Sequence, residues 1–404
     1  MSTSTLYHGF GLKGYDYVRS DYREGAIIFT ARPQARLIVC PVCGCSDIIR
    51  RGSFTRMLRT VPIGCKPVWL EIEAPRVECR RCEIVRQIDL RIAEPKRWYS
   101  NAFKRMVMDL GGFMSMLDIA RWLKVGWDTI KGIIKEQLQK RYSKPSLRNL
   151  KHLAIDEISV RKGHKYLTLV MNLETGAVIF VGEGKGADAL DPFWKQLGQR
   201  RRKVKAVSMD MSAAYIKAVS DNLPKAKIVF DHFHVVKLMN DKLSALRRSL
   251  YHEINDILGK EALKGTRWIL LKAPENLDDK RKERQRLAEV LSLNEPLATA
   301  YYMKEDLRQI WGQKNKQVAT KVLQNWINTA LNSGIKALVD MGKTLAKYRY
   351  GILNWYDHKI SSGPMEGTNN KIKTLKRQAY GFRDLEFFKL RILAIHEATY
   401  AFTG

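Results

Sequence analysis

Two hydrophobic rhythms divide this chain. Up to about residue 95 the apolar positions fall in short strand-like runs such as 68–72, and from 100 to 140 they recur at helical spacing. Residues 143–146, Ser-Lys-Pro-Ser, predict a linker. Beyond it, the apolar runs 152–160, 166–172 and 177–182 predict three strands, with Glu174-Thr175-Gly176 turning the chain between the last two. A helix over 188–197, a strand over 204–209, a helix over 212–219 and a strand over 227–230 follow. A long helical stretch opens near His232, and charged amphipathic helices continue to about 349.

A meander of three strands followed by alternating helices and strands is the order of a ribonuclease-H-like core. The chain has 404 residues, which predicts two to four domains, and 45% apolar residues are enough to bury a real core. Lys and Arg total 71 against 41 Asp and Glu, a net charge of +30 that predicts attraction to a polyanion. The cations are spread along the chain, at Arg200 to Lys203, Lys280 to Arg286 and Lys371 to Arg377. That spread fits an extended nucleic acid better than a small anion. No cationic segment followed by an apolar run opens the chain, and no apolar stretch reaches the ~18 residues of a membrane span. No membrane partner is expected, and the location is expected to be cytoplasmic.

All six cysteines lie between Cys40 and Cys82, a local cluster that points to metal rather than to disulfides. Cys40-Pro-Val-Cys43 and Cys79-Arg-Arg-Cys82 are two C-x-x-C knuckles. Each lets two sulfurs face one ion from a tight turn, and two such turns complete a tetrahedral structural Zn²⁺ site in a zinc ribbon. Gly44 permits the turn after the first pair. Cys45 and Cys65 are spare. Arg50, Arg51, Arg56, Arg59, Arg80 and Arg81 are placed either to face phosphates or to form a solvated face.

Residues 117–134, LDIARWLKVGWDTIKGII, have the spacing of two short helices packed across a turn. Ala120 is small where the helices would cross, Gly126 lies in the turn, and Asp128 or Thr129 is placed to cap the second helix. As a helix-turn-helix, the second helix enters the major groove by its N-terminal end, making Trp127, Asp128 and Lys131 candidates for reading bases. An ordinary helical hairpin has the same pattern.

Three acids stand out. Asp156 sits inside the apolar run LAIDEISV and Asp210 ends VKAVSMD. A carboxylate buried in a strand needs a partner such as a cation. Glu366 opens a predicted helix, with Asn369, Asn370, Lys373 and Arg377 at helical spacing after it, so that one face presents an acid to metal and cations to DNA. Two Mg²⁺ or Mn²⁺ ions need carboxylate and phosphate oxygens for in-line displacement. Asp210 as a helix cap, Glu157 in place of Asp156, and Glu366 as a helix-dipole charge stand beside these readings. Asp231 and His234 form a D-x-x-H at a strand-to-helix corner, placed to hold a scissile phosphate or to brace the site.

The motifs CPVCG with CRRC, the helix pair, AIDEISV, VSMDMSAAY, DHFHVVK and SGPMEGTNNKIKTLKRQAYGFRD occur in this order. Together they resemble the ISL-three family of bacterial insertion-sequence transposases, from about residue 38 to the C-terminus. The resemblance implies a DDE triad on Asp156, Asp210 and Glu366, the D-x-x-H motif on Asp231 and His234, and a helical insertion between the second and third acids. The expected division is a zinc-binding domain over 1–95, a helix-turn-helix over 100–142, a catalytic core over 150–244 and 351–404, and the insertion over 245–350. The expected partners are double-stranded DNA, as transposon ends and target, and further copies of the chain in a dimer or larger synaptic complex. A non-enzymatic DNA-binding regulator and a structure-specific nuclease are the rival readings. Trp268, Trp311, Trp326 and Trp355 are placed either to stack on an extruded base, Trp355 first among them, or to fill a helical core.

Overall fold

The computed structural model describes residues 3–161, 165–254 and 257–396. They form two compact units, one of Met1–Lys144 with Leu375–Gly404 and one of Pro145–Thr374.

The first unit is built on a five-stranded sheet. Strands β1 (Tyr15–Arg23) and β2 (Ala26–Pro33) form a hairpin. Its two turn residues, Glu24 and Gly25, both take positive φ (49° and 73°), the backbone that a two-residue hairpin needs to match strand twist. The long strands β3 (Ile48–Ile63) and β4 (Lys66–Cys79) pair antiparallel, β2 runs parallel to β4 from Ile27↔Val68 to Ala31↔Ile72, and β5 (Ile84–Gln87) pairs with the end of β4. Val68, Leu70, Ile72 and Ala74 alternate inward from β4 into a core shared with Phe29 and Leu6. The segment before about residue 38, outside the family resemblance, thus supplies two of the strands.

In the same unit the helix Met116–Leu123 is capped by Ser115, whose Oγ accepts from the Asp118 N–H at 3.2 Å. Lys124 at φ 54° turns the chain into the helix Trp127–Tyr142. Its N-cap is Gly126, with no side-chain cap. The expected caps, Asp128 and Thr129, lie inside the helix instead, because the turn closes two residues earlier. Ile119, Leu123, Ile130, Ile133 and Ile134 pack together, and Phe387 and Leu390 from the helix Leu385–Leu393 join them. This corrects the expected domain division: residues from 375 onward belong with these helices and not with a core ending at 404. The physical reason is that apolar face, reinforced by Asp384 bridging Lys131 (3.0 Å) and Lys135 (2.8 Å).

The second unit holds a sheet of β6 (His152–Arg161), β7 (Lys165–Asn172), β8 (Val178–Glu183), β9 (Ala206–Met209) and β10 (Lys227–Phe230), in the order β10-β9-β6-β7-β8. The first three are an antiparallel meander, and β6, β9 and β10 are mutually parallel. The strands match the sequence expectation to within about two residues, the boundary scatter to be expected. The helix His232–Glu253 leaves β10, and helices occupy most of 257–353.

The last of these, Lys336–Leu353, lies on β10 at Gly351. A Cβ there would meet the Phe230 ring at 2.3 Å. Gly351→Ala should therefore destabilise the second unit by about 1–3 kcal/mol through overpacking, against the small gain that alanine brings to an open helix position. A lowered urea midpoint would show it, and an unchanged or raised midpoint would contradict this packing.

Candidate active site and metal centre

The two knuckles converge. One ligand atom from each of Cys40, Cys43, Cys79 and Cys82 lies within 4.8 Å of the others. The knuckles have matching backbones: Gly44 N–H donates to Cys40 O and Glu83 N–H to Cys79 O, both at 2.9 Å, and Gly44 and Glu83 both take positive φ. The Cys43 N–H pulls the Cys40 thiol down to about 7, while the neighbouring thiols, Cys43 foremost, push Cys82 up to about 12. Four sulfurs this close cannot all ionise without a cation among them, so the donor set fits a tetrahedral Zn²⁺. Not all the nearby arginines face solvent. Arg59 is buried and donates to Leu123 O at 3.2 Å, and Arg56 donates to Glu94 O at 3.3 Å, so both serve the fold. Arg50, Arg80 and Arg81 remain exposed.

The acids meet at the other sheet. In the parallel register Ala154 stands opposite Ser208 and Phe230 opposite Met209. Continued to the strand ends, that register sets Asp156, Asp210 and Asp231 at one level. Burial, chiefly, and the Asp210 charge raise the Asp156 carboxyl above its ordinary range. His234, the Glu157 N–H and Asn369 oppose that rise. Asp156 Oδ1 accepts from the Glu157 N–H at 2.8 Å and Oδ2 from the Asn369 amide at 2.7 Å. Glu157 is raised as well, first by burial and then by Asp210, and lies beside Lys185 and Tyr215. The Tyr215 hydroxyl also meets Thr168 Oγ1 at 2.9 Å.

Asp231 has a different task. Its Oδ1 accepts from the Phe233 N–H and lies against His232 Nδ1, both at 3.2 Å. Its Oδ2 accepts from the Ser362 N–H at 3.1 Å and from the Ser362 hydroxyl. Burial pushes its carboxyl up, but these bonds prevail and hold it at about 2. Both oxygens are taken, so Asp231 fastens the chain just before the helix Gly363–Gln378, which carries Glu366. Met365, Thr368, Asn369 and Ile372 are that helix's buried stripe, and Glu366 flanks it, exposed. Among the described residues the cysteines are the one group of three or more potential ligands drawn within 4.8 Å, so Asp156, Asp210 and Glu366 do not close into such a cluster. The helix places Glu366 one turn before Asn369, the residue that touches Asp156.

Of the expected DNA readers, Trp127 and Asp128 are exposed at the start of their helix, and Lys373 and Arg377 are exposed on the Glu366 helix. Lys131 is held by Asp384 and lies over the Trp127 ring, its Nζ 5.4 Å from the centroid. Trp326 is a core residue whose indole donates to Met303 O at 2.8 Å. Trp268 is exposed under the Arg267 guanidinium. No helix among the described residues is long and apolar enough to cross a membrane.

Residues 153–392 match the model of a transposase family, ISL3, and residues 36–82 match the zinc-finger of transposase IS204/IS1001/IS1096/IS1165. The chain belongs to the ISL-three family of transposases. The transposase for insertion sequence element IS1001 of Bordetella parapertussis is 30% identical over 390 residues, 95% of this chain and 96% of that protein. The transposase for insertion sequence element IS1557 of Mycobacterium tuberculosis is 28% identical over 92% of this chain and 89% of its own length. Among solved structures, the Drosophila P element transposase strand transfer complex matches with 12% identity and a TM-score of 0.40, over 76% of this chain and 94% of that one. The zinc-finger match begins and ends around the four clustered cysteines, and the long match spans all the acids described above.

The contacts of two residues near these acids escaped the sequence reading. Ser362 carries no chemical signal of its own and acts only through Asp231. Asn369 was visible as a position on the Glu366 helix, but its bond to Asp156, 213 residues away, was not.

Two outcomes follow. Freshly purified protein should carry close to one equivalent of zinc, and Cys40→Ser should unfold the ribbon, because zinc contributes about 10–16 kcal/mol in comparable small sites. Metal analysis of folded protein that finds no zinc would contradict the assignment. The second concerns acid. The Asp231 carboxyl is depressed from its ordinary 3.8 to about 2, so its stabilisation is complete above the unfolded value and is lost as pH falls through the folded one. Asp231→Asn should therefore cost roughly 2 kcal/mol near neutrality, a difference that shrinks between pH 4 and pH 2. Denaturant melts of both proteins across that range measure it, and a pH-independent gap would contradict the Ser362 clamp.

Proposed function

We propose that this transposase binds the terminal inverted repeats of an insertion sequence as double-stranded DNA, cuts at the ends and joins them to target DNA, with Asp156, Asp210 and Glu366 as the acids of a DDE-type, divalent-metal-dependent site. The observation that carries the reading is the placement of Asp156, on β6, level with Asp210, just past β9 in the parallel register, with the Glu366 helix bonded to Asp156. The strand order, meander and two parallel strands support a ribonuclease-H-like core, with 257–353 as its helical insertion. Two half-buried carboxylates side by side, the charge of Asp210 disfavouring that of Asp156, fit Mg²⁺ or Mn²⁺, since a hard cation relieves the repulsion and takes oxygen ligands. When bound, such ions supply the polarisation of phosphate and nucleophile that in-line displacement requires.

The chain's own residues do the positioning. Asp156 is fixed by one bond to each oxygen before any substrate arrives. Asp231 and Ser362 hold the Glu366 helix at its start. His234 faces Asp156 with a side chain suited to a phosphate oxygen. Trp127 and Asp128 lead the second helix of a helix-turn-helix reader, braced by Lys131, and Lys373 and Arg377 meet the phosphate backbone. The zinc ribbon supplies Arg50, Arg80 and Arg81 as further exposed cations for phosphates. Two ends must be brought together for joining, so a dimer or larger synaptic assembly follows, working in the bacterial cytoplasm on nucleoid DNA.

A supercoiled plasmid carrying the element's ends tests the reading. With Mg²⁺ the wild-type chain should cut and join it; a regulator would leave it unchanged and a nuclease would only cut. Asp156→Asn, Asp210→Asn and Glu366→Gln should each lower cleavage by roughly 10³-fold while end binding survives, because these acids serve metal rather than bases. Trp127→Ala should weaken end binding first. Cleavage that persists in Asp210→Asn would remove the second acid from the site.

A further inference from the structure

Two neighbouring acids alone do not define a cation site, but a neutral group points into the same place. Asn369 is 8% exposed, and its Nδ2 donates to Asp156 Oδ2 at 2.7 Å. The carbonyl oxygen of the same amide is buried and has no hydrogen-bond partner among the described residues. Its orientation is fixed by chemistry. Turned over, the amide would set its own oxygen against a carboxylate oxygen, two acceptors with no proton between them. Oδ1 therefore stays beside Asp156 with no donor among the described residues to answer it. Buried acceptors without donors are rare and costly in folded proteins.

A hard divalent cation answers that unpaired oxygen and the carboxylate beside it together, since it takes oxygens from carboxylates and from Asn side chains alike. We infer that Asn369 is a further ligand of that cation: its nitrogen steadies Asp156 while its carbonyl oxygen completes the donor set. The inference rests on the metal-dependent reading of Asp156 and Asp210 given above. A neutral ligand adds coordination without adding another charge to Asp156, Asp210 and Glu366, whose mutual repulsion a fourth carboxylate would worsen. The helix is suited to the delivery. Asp231 clamps Ser362 before it, and Asn369 follows Glu366 by one turn, so one rigid element brings a charged and a neutral oxygen to the same strand ends.

The test is Mn²⁺ titration of the full-length, zinc-loaded protein without DNA, followed by electron paramagnetic resonance or calorimetry, with plasmid cleavage measured alongside. Asn369→Ala and the near-isosteric Asn369→Leu should weaken Mn²⁺ binding about tenfold and lower cleavage, with end binding unchanged. Asn369→Asp, which keeps an oxygen but loses the N–H donor, should bind Mn²⁺ at least as tightly as the wild type. Asp156→Asn is the control and should lose Mn²⁺ affinity. If Asn369→Asp loses affinity as the alanine variant does, the side chain acts only by holding Asp156, and the ligand role is overturned. Unchanged affinity in Asn369→Leu also overturns it, leaving packing alone. Loss of affinity in Asp156→Asn without loss in Asn369→Ala sinks this inference and spares the acids. Unchanged affinity in Asp156→Asn sinks both.

Discussion

Like charges resist being brought together, and the second unit is organised around one such pair. Asp156, midway along β6 just beyond its pairing with β9, and Asp210, the residue that follows β9, stand level with each other and partly out of water, and the Asp210 charge makes Asp156 harder to ionise. Parallel pairing achieves this because both strands run the same way, so one register step carries Ala154 opposite Ser208 to Asp156 opposite Asp210. The surrounding bonds all act at that level. The Glu157 N–H and the Asn369 amide each take one Asp156 oxygen, and Asp231, one strand further on, gives its oxygens to Ser362 and to its own helix start. Two of these contacts come from the chain around Glu366, so the third acid's helix is tied to the sheet by the same groups that set the first acid.

Asp231 shows how similar motif acids acquire different roles from environment alone. By strand register it is the equal of Asp210, and nothing in its residue type separates them. Asp231 is buried and accepts from Phe233, His232 and Ser362, which hold its carboxyl at about 2 and leave no free oxygen. Asp210 lies at the more open position beside Asp156, where its charge is felt by both Asp156 and Glu157. An acid with two partners on each oxygen, as Asp231 has, is a structural pin, whereas Asp156 accepts one bond on each oxygen and keeps a further lone pair on both. His234, three residues beyond the pin, faces Asp156 because the helix that Asp231 caps starts there.

Much of this was legible in the sequence, for definite reasons. The strands of the second sheet announce themselves as apolar runs because both faces are covered, and the two knuckles declare a metal site because thiolate spacing is nearly sufficient to specify one. The first sheet was less legible. β2 alternates clearly in Ala26–Pro33, but its partner β4 lies some forty residues away and runs parallel, so no hairpin turn joins the two in sequence. The fate of residues 375–396 was hidden for a similar reason. The helix Gly363–Gln378 reads as one continuous element, and only the packing of Phe387 and Leu390 on Ile119 and Ile130 shows that the chain beyond it belongs with the N-terminal helices. The ion pair of Lys131 with Asp384 was not legible, because Asp384 lies far along the chain.

The long helical segment between the second and third acids bears on the same edge of the sheet. Its last helix meets β10 at Gly351, where the Phe230 ring occupies the space a side chain would need, and Asn354 then donates to Ile228 O at 2.9 Å. Phe230 immediately precedes Asp231. Helix position, strand end, the Asp231–Ser362 clamp and the start of the Glu366 helix therefore follow one another through direct contacts. A displacement of the helical segment would reach Asp231 through a packed aromatic ring rather than through a flexible loop, and close-packed interiors transmit such displacements instead of absorbing them. An insertion joined to its core only by its two chain ends would leave the third acid indifferent to it. This one is seated on the strand that fixes where that acid's helix begins.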